Sequence, residues 1–148
     1  MKAHYLGHVV FYVKNLEKSL AFYRDLLGFK EVGRVFGGAA AALTSGRTHH
    51  ELLLIQVGDV PGPQQGRRRG LYHIGIKVGD NLDELRAAKR ELERAGIEIE
   101  GMSDHTVSQS LYLRDPDGNE VELYVDADEA IWKNDPAAAL SPIKPLRL

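Results

Sequence analysis

The chain of 148 residues contains no cysteine, which excludes disulfide bridges, thiolate zinc sites and cysteine nucleophiles together. Its apolar runs, such as residues 37–43, are far shorter than the roughly 20 residues that span a bilayer. A formal net charge of -2 gives no reason to expect nucleic acid or a membrane surface as partner. Because the residues after Met1 also form no apolar signal segment, we expect a cytoplasmic protein.

The residues that are present repeat one plan, in which a strand and a helix are followed by three strands. Residues 6–13 are rich in β-branched and aromatic side chains, which predicts the first strand. Asn15 is a candidate N-cap for the helix that follows, and Gly28 is a candidate stop for it. Three further strands are predicted over residues 30–35, 39–44 and 50–57.

The second half of the chain follows the same plan. Residues 71–78 predict a strand, and residues 82–95 predict an amphipathic helix that Gly96 ends. The next three strands are predicted over residues 97–102, 110–114 and 120–125. Each half is therefore a βαβββ module, and the fold class is α+β.

The predicted module boundaries follow from composition. Module one spans residues 4–58, a linker rich in Pro, Gly and charge spans 59–69, and module two spans 70–126. We expect residues 1–126 to form a single domain. Residues 127–148 contain three prolines, which predicts a tail with at most one short helix, near residues 127–132.

A histidine occupies the third position of the first strand in each half, His8 in one and His73 in the other. These two imidazoles would approach each other if the halves pack with pseudo-twofold symmetry. A carboxylate would complete a two-His-one-carboxylate face, which leaves open positions on an octahedral metal ion. Strand alternation places Glu122 on the face opposite to the apolar residues of its strand. The sequence therefore predicts one divalent metal ion bound by His8, His73 and Glu122.

Three stretches carry motifs of a known superfamily: residues 7–13 (GHVVFYV), 19–29 (SLAFYRDLLGF) and 115–124 (DPDGNEVELY). They resemble the vicinal oxygen chelate superfamily, which includes glyoxalase I, fosfomycin-resistance proteins, bleomycin-binding proteins and extradiol dioxygenases. The resemblance covers about residues 4–126. It implies two βαβββ modules that form a cupped mixed β-sheet with the helices on the outer face.

Two further stretches resemble the catechol 2,3-dioxygenase branch of the extradiol enzymes. In residues 48–55 (THHELLLI) the resemblance gives His50 the role of an active-site acid/base. In residues 104–118 (DHTVSQSLYLRDPDG) it places His105 and Tyr112 beside the metal. Thr106 departs from this pattern, because a glycine is usual at that point of the stretch.

The resemblance thus implies a metal-dependent extradiol dioxygenase that cleaves a catechol-like aromatic substrate with dioxygen. Fe(II) is the first metal expected and Mn(II) the second. Alternation along residues 50–57 would place Leu52 and Leu54 on the face of His50, where they would suit an aromatic ring. A single-domain member of this kind is expected to form a homodimer.

Two other classes of function stay open. One is a metal-dependent lyase, isomerase or thiol-transferring resistance protein, in which Zn(II) or Ni(II) is possible. Glyoxalase I takes a further glutamate from the last strand of the first half. Only Glu51 is available there, and alternation turns it away from the face of His50. The other class is a metal-free module that binds an antibiotic, and the retained set of His8, His73 and Glu122 argues against it.

Overall fold

The computed structural model describes residues Met1–Leu148, which form two compact units. The first unit contains Met1–Gln65 together with Pro116–Gly118. The second contains Gly66–Asp115 and Asn119–Leu148. No helix of the chain is both long enough and apolar enough to cross a membrane.

The first unit is built on a four-stranded sheet. Its strand order is β1-β4-β3-β2, in which β1 and β4 run parallel and the other neighbours are antiparallel. Its elements are β1 (Val9–Val13), α1 (Leu16–Leu20), a π-helical continuation (Ala21–Leu26), β2 (Lys30–Val35), a 3-10 turn (Phe36–Gly38), β3 (Ala40–Thr44) and β4 (Leu52–Gln56).

The second unit repeats this topology on a five-stranded sheet of order β5-β8-β7-β6-β9, with β5 and β8 parallel. Its elements are β5 (His73–Gly79), α2 (Leu82–Arg94), β6 (Gly101–Asp104), β7 (Ser108–Arg114), β8 (Glu120–Asp126), α3 (Ala130–Asn134), a 3-10 turn (Pro136–Leu140) and β9 (Lys144–Pro145). The short strand β9 comes from the C-terminal segment and extends the sheet by pairing with β6. The predicted α+β class and the two βαβββ modules are therefore confirmed.

Both main helices begin and end where local chemistry predicts. Asn15 Oδ1 accepts a hydrogen bond from the backbone amide of Lys18, and Asn81 accepts two from the first turn of α2. Gly28 and Gly96 follow the helical segments with φ of +80° and +70°. This left-handed conformation is open to glycine at little cost, so the predicted cap Asn15 and the predicted stops Gly28 and Gly96 are confirmed.

Strand alternation decides which face of each sheet is buried. In β8 the apolar residues Val121, Leu123 and Val125 lie in the core, and Glu122 is on the opposite face, as predicted. In the first unit, Leu52 and Leu54 are also in the core, in register with Val9 and Phe11 of β1. The prediction that Leu52 and Leu54 line the face of His50 is therefore wrong.

Several predicted strand boundaries are also wrong, because ladder pairing begins only where a partner strand is in reach. The strand predicted over residues 50–57 is Leu52–Gln56; His50 lies outside it, although the backbone of Glu51 still bonds to Leu43 and Val9. The strand predicted over 97–102 is Gly101–Asp104, because the Ile97 amide is bonded back to α2. The two first strands begin at Val9 and His73, and the tail helix is Ala130–Asn134.

Candidate metal centre

His73 and Glu122 come together because β5 and β8 are parallel neighbours, with Gly75 in register with Glu122. His73 Nε2 lies 3.2 Å from Glu122 Oε2. Two ligand atoms that are each about 2.1 Å from one ion, in adjacent octahedral positions, are about 3 Å apart. The spacing of these two atoms therefore fits two neighbouring ligands of one divalent ion.

Gly75 keeps the space beside this carboxylate clear of any side chain. A Cβ at that position would lie 3.5 Å from Glu122 Oε2 and 3.4 Å from the ring of Tyr124. A side chain longer than alanine would therefore reach into the space beside the oxygen that faces His73.

The other nitrogen of His73 is buried. Nδ1 has no hydrogen-bond partner, and Glu120 Oε1 lies 3.5 Å from it, at the outer limit of a hydrogen bond. A neutral imidazole carries one proton, so Nδ1 is an acceptor when Nε2 donates to Glu122. It becomes the donor when Nε2 binds a metal ion. The ring therefore fits a ligand whose outer nitrogen is enclosed by protein.

The second oxygen of Glu122 is held by hydroxyl groups from β7. Ser110 Oγ donates to Glu122 Oε1 at 2.6 Å, and Tyr112 Oη donates to the same oxygen at 3.0 Å. His105 Nε2 lies 2.7 Å from Tyr112 Oη. Because the tyrosine hydrogen is directed to Glu122, the imidazole Nε2–H is the donor in this contact. The structure thus brings His105, Tyr112 and Glu122 into one hydrogen-bonded chain.

Sequence reasoning missed Ser110, although the signal was present. Ser110 and Tyr112 lie two residues apart on β7 and so share a face, and Tyr112 is in register with Glu122. Burial raises the pKa of the Tyr112 hydroxyl, and the charge of Glu122 and its hydrogen bond raise it further. Tyr112 therefore stays protonated, and able to donate, at neutral and moderately alkaline pH.

In the first unit, three histidines lie next to one another. The ring of His8 is 4.6 Å from that of His50 and 6.4 Å from that of His49, measured between centroids. The Nδ1 atoms of His49 and His50 are 2.6 Å apart, so one carries a proton and the other accepts it. Burial lowers the pKa of His50, and the neighbouring charges of His49 and His8 lower it further. His50 is therefore a neutral imidazole at neutral pH.

Glu51 is committed to the connection between β3 and β4. Its carboxylate accepts hydrogen bonds from the Ser45 amide at 2.8 Å, the Ser45 hydroxyl at 3.0 Å and the Thr48 amide at 3.1 Å. All these donors lie in the turn before β4. These contacts occupy Glu51 locally, and they agree with the expectation that it does not act beside His50.

The structure contains no group of three or more His, Asp or Glu side chains spaced to hold a metal ion. It brings His73 together with Glu122 in the second unit, and His8 together with His50 in the first. The donors of the second unit fit two positions of a metal ion. The role of His8 as a third ligand stays a prediction.

Comparison with known proteins identifies the superfamily to which the chain is similar. Residues 5–123 match the model of the Glyoxalase/Bleomycin resistance protein/Dioxygenase superfamily. The chain is 34% identical over 131 residues to a catechol-2,3-dioxygenase of Bacillus subtilis (strain 168), covering 88% of this chain and 45% of that protein. It is 30% identical over 142 residues to biphenyl-2,3-diol 1,2-dioxygenase 2 of Rhodococcus globerulus, covering 93% of this chain and 73% of that protein.

A solved structure of similar fold is lactoylglutathione lyase from Agrobacterium tumefaciens. Its TM-score is 0.65 at 28% sequence identity, and the match covers 88% of this chain and 98% of that one. The chain spans less than half the length of the Bacillus relative. The family match extends over most of the chain and agrees with the two βαβββ modules. The chain belongs to the glyoxalase/bleomycin resistance protein/dioxygenase superfamily.

Proposed function

We propose that this chain is a metal-dependent extradiol dioxygenase that cleaves the ring of a catechol-like aromatic substrate. The observation that carries the proposal is the arrangement around Glu122, whose one oxygen faces His73 Nε2 at 3.2 Å. Its other oxygen accepts from Tyr112, which contacts His105. His73 and Glu122 would bind the metal ion, and the hydrogen-bonded Tyr112 and His105 lie beside them. This arrangement suits a substrate that binds the ion through acidic hydroxyl groups. The likeness to two dioxygenases named for diol substrates supports the same reaction class.

His8, His73 and Glu122 would hold the metal ion, with Fe(II) as the first choice and Mn(II) as the second. Two neutral imidazoles and one carboxylate would leave open positions on the ion, which would supply Lewis-acid and redox chemistry for a chelating diol and dioxygen. Zn(II) or Ni(II) would be expected if the site serves a lyase or isomerase instead.

The protein side chains then supply proton transfer and charge stabilisation. His50 is neutral at neutral pH and would accept the proton of a substrate hydroxyl. Tyr112 is kept protonated, and its hydroxyl would turn from Glu122 to donate a hydrogen bond to a substrate oxygen. His105, bonded to Tyr112, would stabilise negative charge on the substrate. Each such positioned group contributes typically about 10²–10⁴-fold to the rate.

The open face of the first sheet supplies an apolar surface for an aromatic ring. Since Leu52 and Leu54 lie in the core, this surface comes from the alternate residues of β1 and β4. Val10 is in register with Leu53, and Tyr12 with Ile55. Val10 and Tyr12 are exposed and Leu53 and Ile55 are half-buried, which leaves apolar area for a planar ligand.

The test of the proposal is the metal content of protein purified without oxygen or chelator, followed by an aerobic catechol assay. We expect about one Fe or Mn ion per chain, oxygen uptake and a yellow ring-cleavage product. Zinc or nickel with no oxygen uptake would move the function to the lyase or isomerase class. A chain that binds no divalent ion would contradict the proposed metal centre.

The role of His50 is tested by His50→Phe, which keeps an aromatic ring but removes both nitrogens. We expect metal content to stay unchanged and turnover to fall by about 10²-fold or more, because the acid/base group is lost. His4→Phe is the matched control, since His4 is an exposed histidine of the same unit. Turnover that survives in His50→Phe would show that His50 is not the acid/base.

A lyase of the glyoxalase type is the second candidate, and the likeness to lactoylglutathione lyase favours it. The engagement of Glu51 by Ser45 and Thr48 argues against the four-ligand site of that class. Full activity without oxygen would select the lyase. Ligand binding that is unaffected by His73→Ala would instead favour a metal-free binding module. The homodimer stays a prediction.

A further inference from the structure

The second unit contains a buried carboxylate that the proposed metal centre does not use as a ligand. Glu120 begins β8, is in register with His73 and is 8% exposed. Its two oxygens face different partners. Oε2 accepts a hydrogen bond from Arg114 Nη2 at 2.9 Å, and Oε1 lies 3.5 Å from His73 Nδ1.

The surroundings of Glu120 explain why a carboxylate can be buried at this place. Arg114 compensates its charge and is itself held by both oxygens of Glu100, at 3.1 and 3.0 Å from Nε. The carboxylate of Glu120 also raises the pKa of the neighbouring Tyr72 hydroxyl. Arg114 engages only Oε2, so Oε1 stays directed towards the imidazole.

We propose that Glu120 is a positioning residue that accepts the Nδ1 proton of His73 and directs Nε2 to the metal. This inference rests on the proposed metal centre. Nε2 must be unprotonated to bind an ion, so the imidazole proton moves to the buried Nδ1, which then needs an acceptor. Glu120 Oε1 is the carboxylate oxygen within 4 Å of that nitrogen. A shift of less than about 1 Å closes the gap to a charge-assisted hydrogen bond.

The proposal is tested by the affinity of the full chain for Zn(II) and Mn(II), measured by competition with a chelating dye. Glu120→Leu removes the acceptor, and loss of such an outer partner typically costs about 10- to 100-fold in metal affinity. Glu120→Gln keeps an acceptor oxygen without the charge, so its affinity should fall between those of the wild type and Glu120→Leu. Glu100→Leu is the matched control, because it removes the other carboxylate on Arg114 and should change affinity by less than about twofold.

A second measurement separates positioning from a merely structural role. In the Zn(II)-loaded protein, the Nδ1–H proton of His73 should give an NMR signal protected from exchange with water. That exchange should be about 10-fold faster or more in Glu120→Leu and unchanged in Glu100→Leu. If Glu120→Leu does not fold, Glu120→Gln carries both measurements.

The outcomes are distinguishable. Wild-type protein that binds one ion, with equal affinity in Glu120→Leu and Glu120→Gln, would overturn the role of Glu120 and leave the proposed function intact. Wild-type protein that binds neither Zn(II) nor Mn(II) would overturn both.

Discussion

Glu51 lies just before β4 and Glu122 lies within β8, and their different hydrogen bonds decide whether each carboxylate can bind a ligand. Glu51 accepts from the backbone amides of Ser45 and Thr48, so its carboxylate closes a turn. Glu122 accepts from the hydroxyls of Ser110 and Tyr112 on one oxygen, while its other oxygen faces His73. The Glu51 carboxylate therefore stabilises a local turn, whereas the Glu122 carboxylate keeps one oxygen available to bind a metal ion.

At the scale of this residue, Glu51→Gln should make the free energy of unfolding less dependent on pH. Burial raises the pKa of Glu51, but the hydrogen bonds that its carboxylate accepts from Ser45 and Thr48 lower it more, so the net shift is downward. A depressed pKa in the folded state stabilises the fold above the ordinary carboxyl pKa. That stability is lost as the pH falls through the folded-state pKa. We expect Glu51→Gln to cost about 1–3 kcal/mol near pH 7 and far less near pH 3, in urea unfolding.

The matched control is Glu98→Gln, because Glu98 is an exposed glutamate. It should change the free energy of unfolding by less than about 0.5 kcal/mol at either pH. An equal loss in Glu51→Gln at both pH values would show that its hydrogen bonds do not depend on the charge.

At the scale of elements, the turn between β6 and β7 carries His105 and has an unusual backbone. Thr106 adopts a φ of +72°, which a β-branched residue rarely does. Asp104 Oδ1 accepts from the Thr106 amide at 2.7 Å, and the His105 amide donates to Ser108 O at 2.8 Å. These hydrogen bonds hold Thr106 in a conformation that glycine would adopt without strain. A glycine is usual at this position in the catechol 2,3-dioxygenase branch, which this stretch resembles.

Thr106→Gly should therefore raise the free energy of unfolding. The left-handed conformation costs an ordinary residue about 1–2 kcal/mol, and the added chain entropy of glycine offsets part of that gain. We expect a net stabilisation of about 0.5–1 kcal/mol, measured by urea unfolding. Ser103→Gly in the neighbouring strand β6 is the control and should destabilise the chain by about 0.5–1 kcal/mol. A loss of stability in Thr106→Gly would show that the threonine side chain makes contacts worth more than the strain.

At the scale of the whole molecule, a metal ion that binds only the folded chain should raise its stability by mass action. A ligand at 100 times its dissociation constant stabilises the folded state by about 2.7 kcal/mol. We expect added Mn(II) or Zn(II) to raise the melting temperature of the wild type, as followed by circular dichroism. His73→Ala and Glu122→Gln should remove this rise.

The control for that measurement is His4→Ala, which removes an exposed histidine and should keep the full metal-dependent rise. A rise that persists in His73→Ala would place the stabilising ion elsewhere on the chain. The chelator EDTA should return the melting temperature of the wild type to its metal-free value.

Much of the architecture could be predicted because its signals are local. Asn15 and Asn81 cap helices through amides within a few residues, and Gly28 and Gly96 end them through their own backbone freedom. The face of Glu122 also follows from its apolar neighbours in β8. The surroundings of Leu54 could not be predicted in this way, because His50 lies outside β4 and the alternation of that strand does not extend to it.

The order of the modules, the helix ends and the candidate residues His73 and Glu122 thus follow from periodicity and short-range chemistry. The partners of those residues depend on which strands pair and in which register. His73 meets Glu120 and Glu122 because β5 pairs in parallel with β8, and Ser110 meets Glu122 because β7 pairs with β8. The pairing of β5 with β8 joins strands that are distant along the chain, so no local pattern encodes it, whereas the register of β7 with β8 depends on the short turn between them.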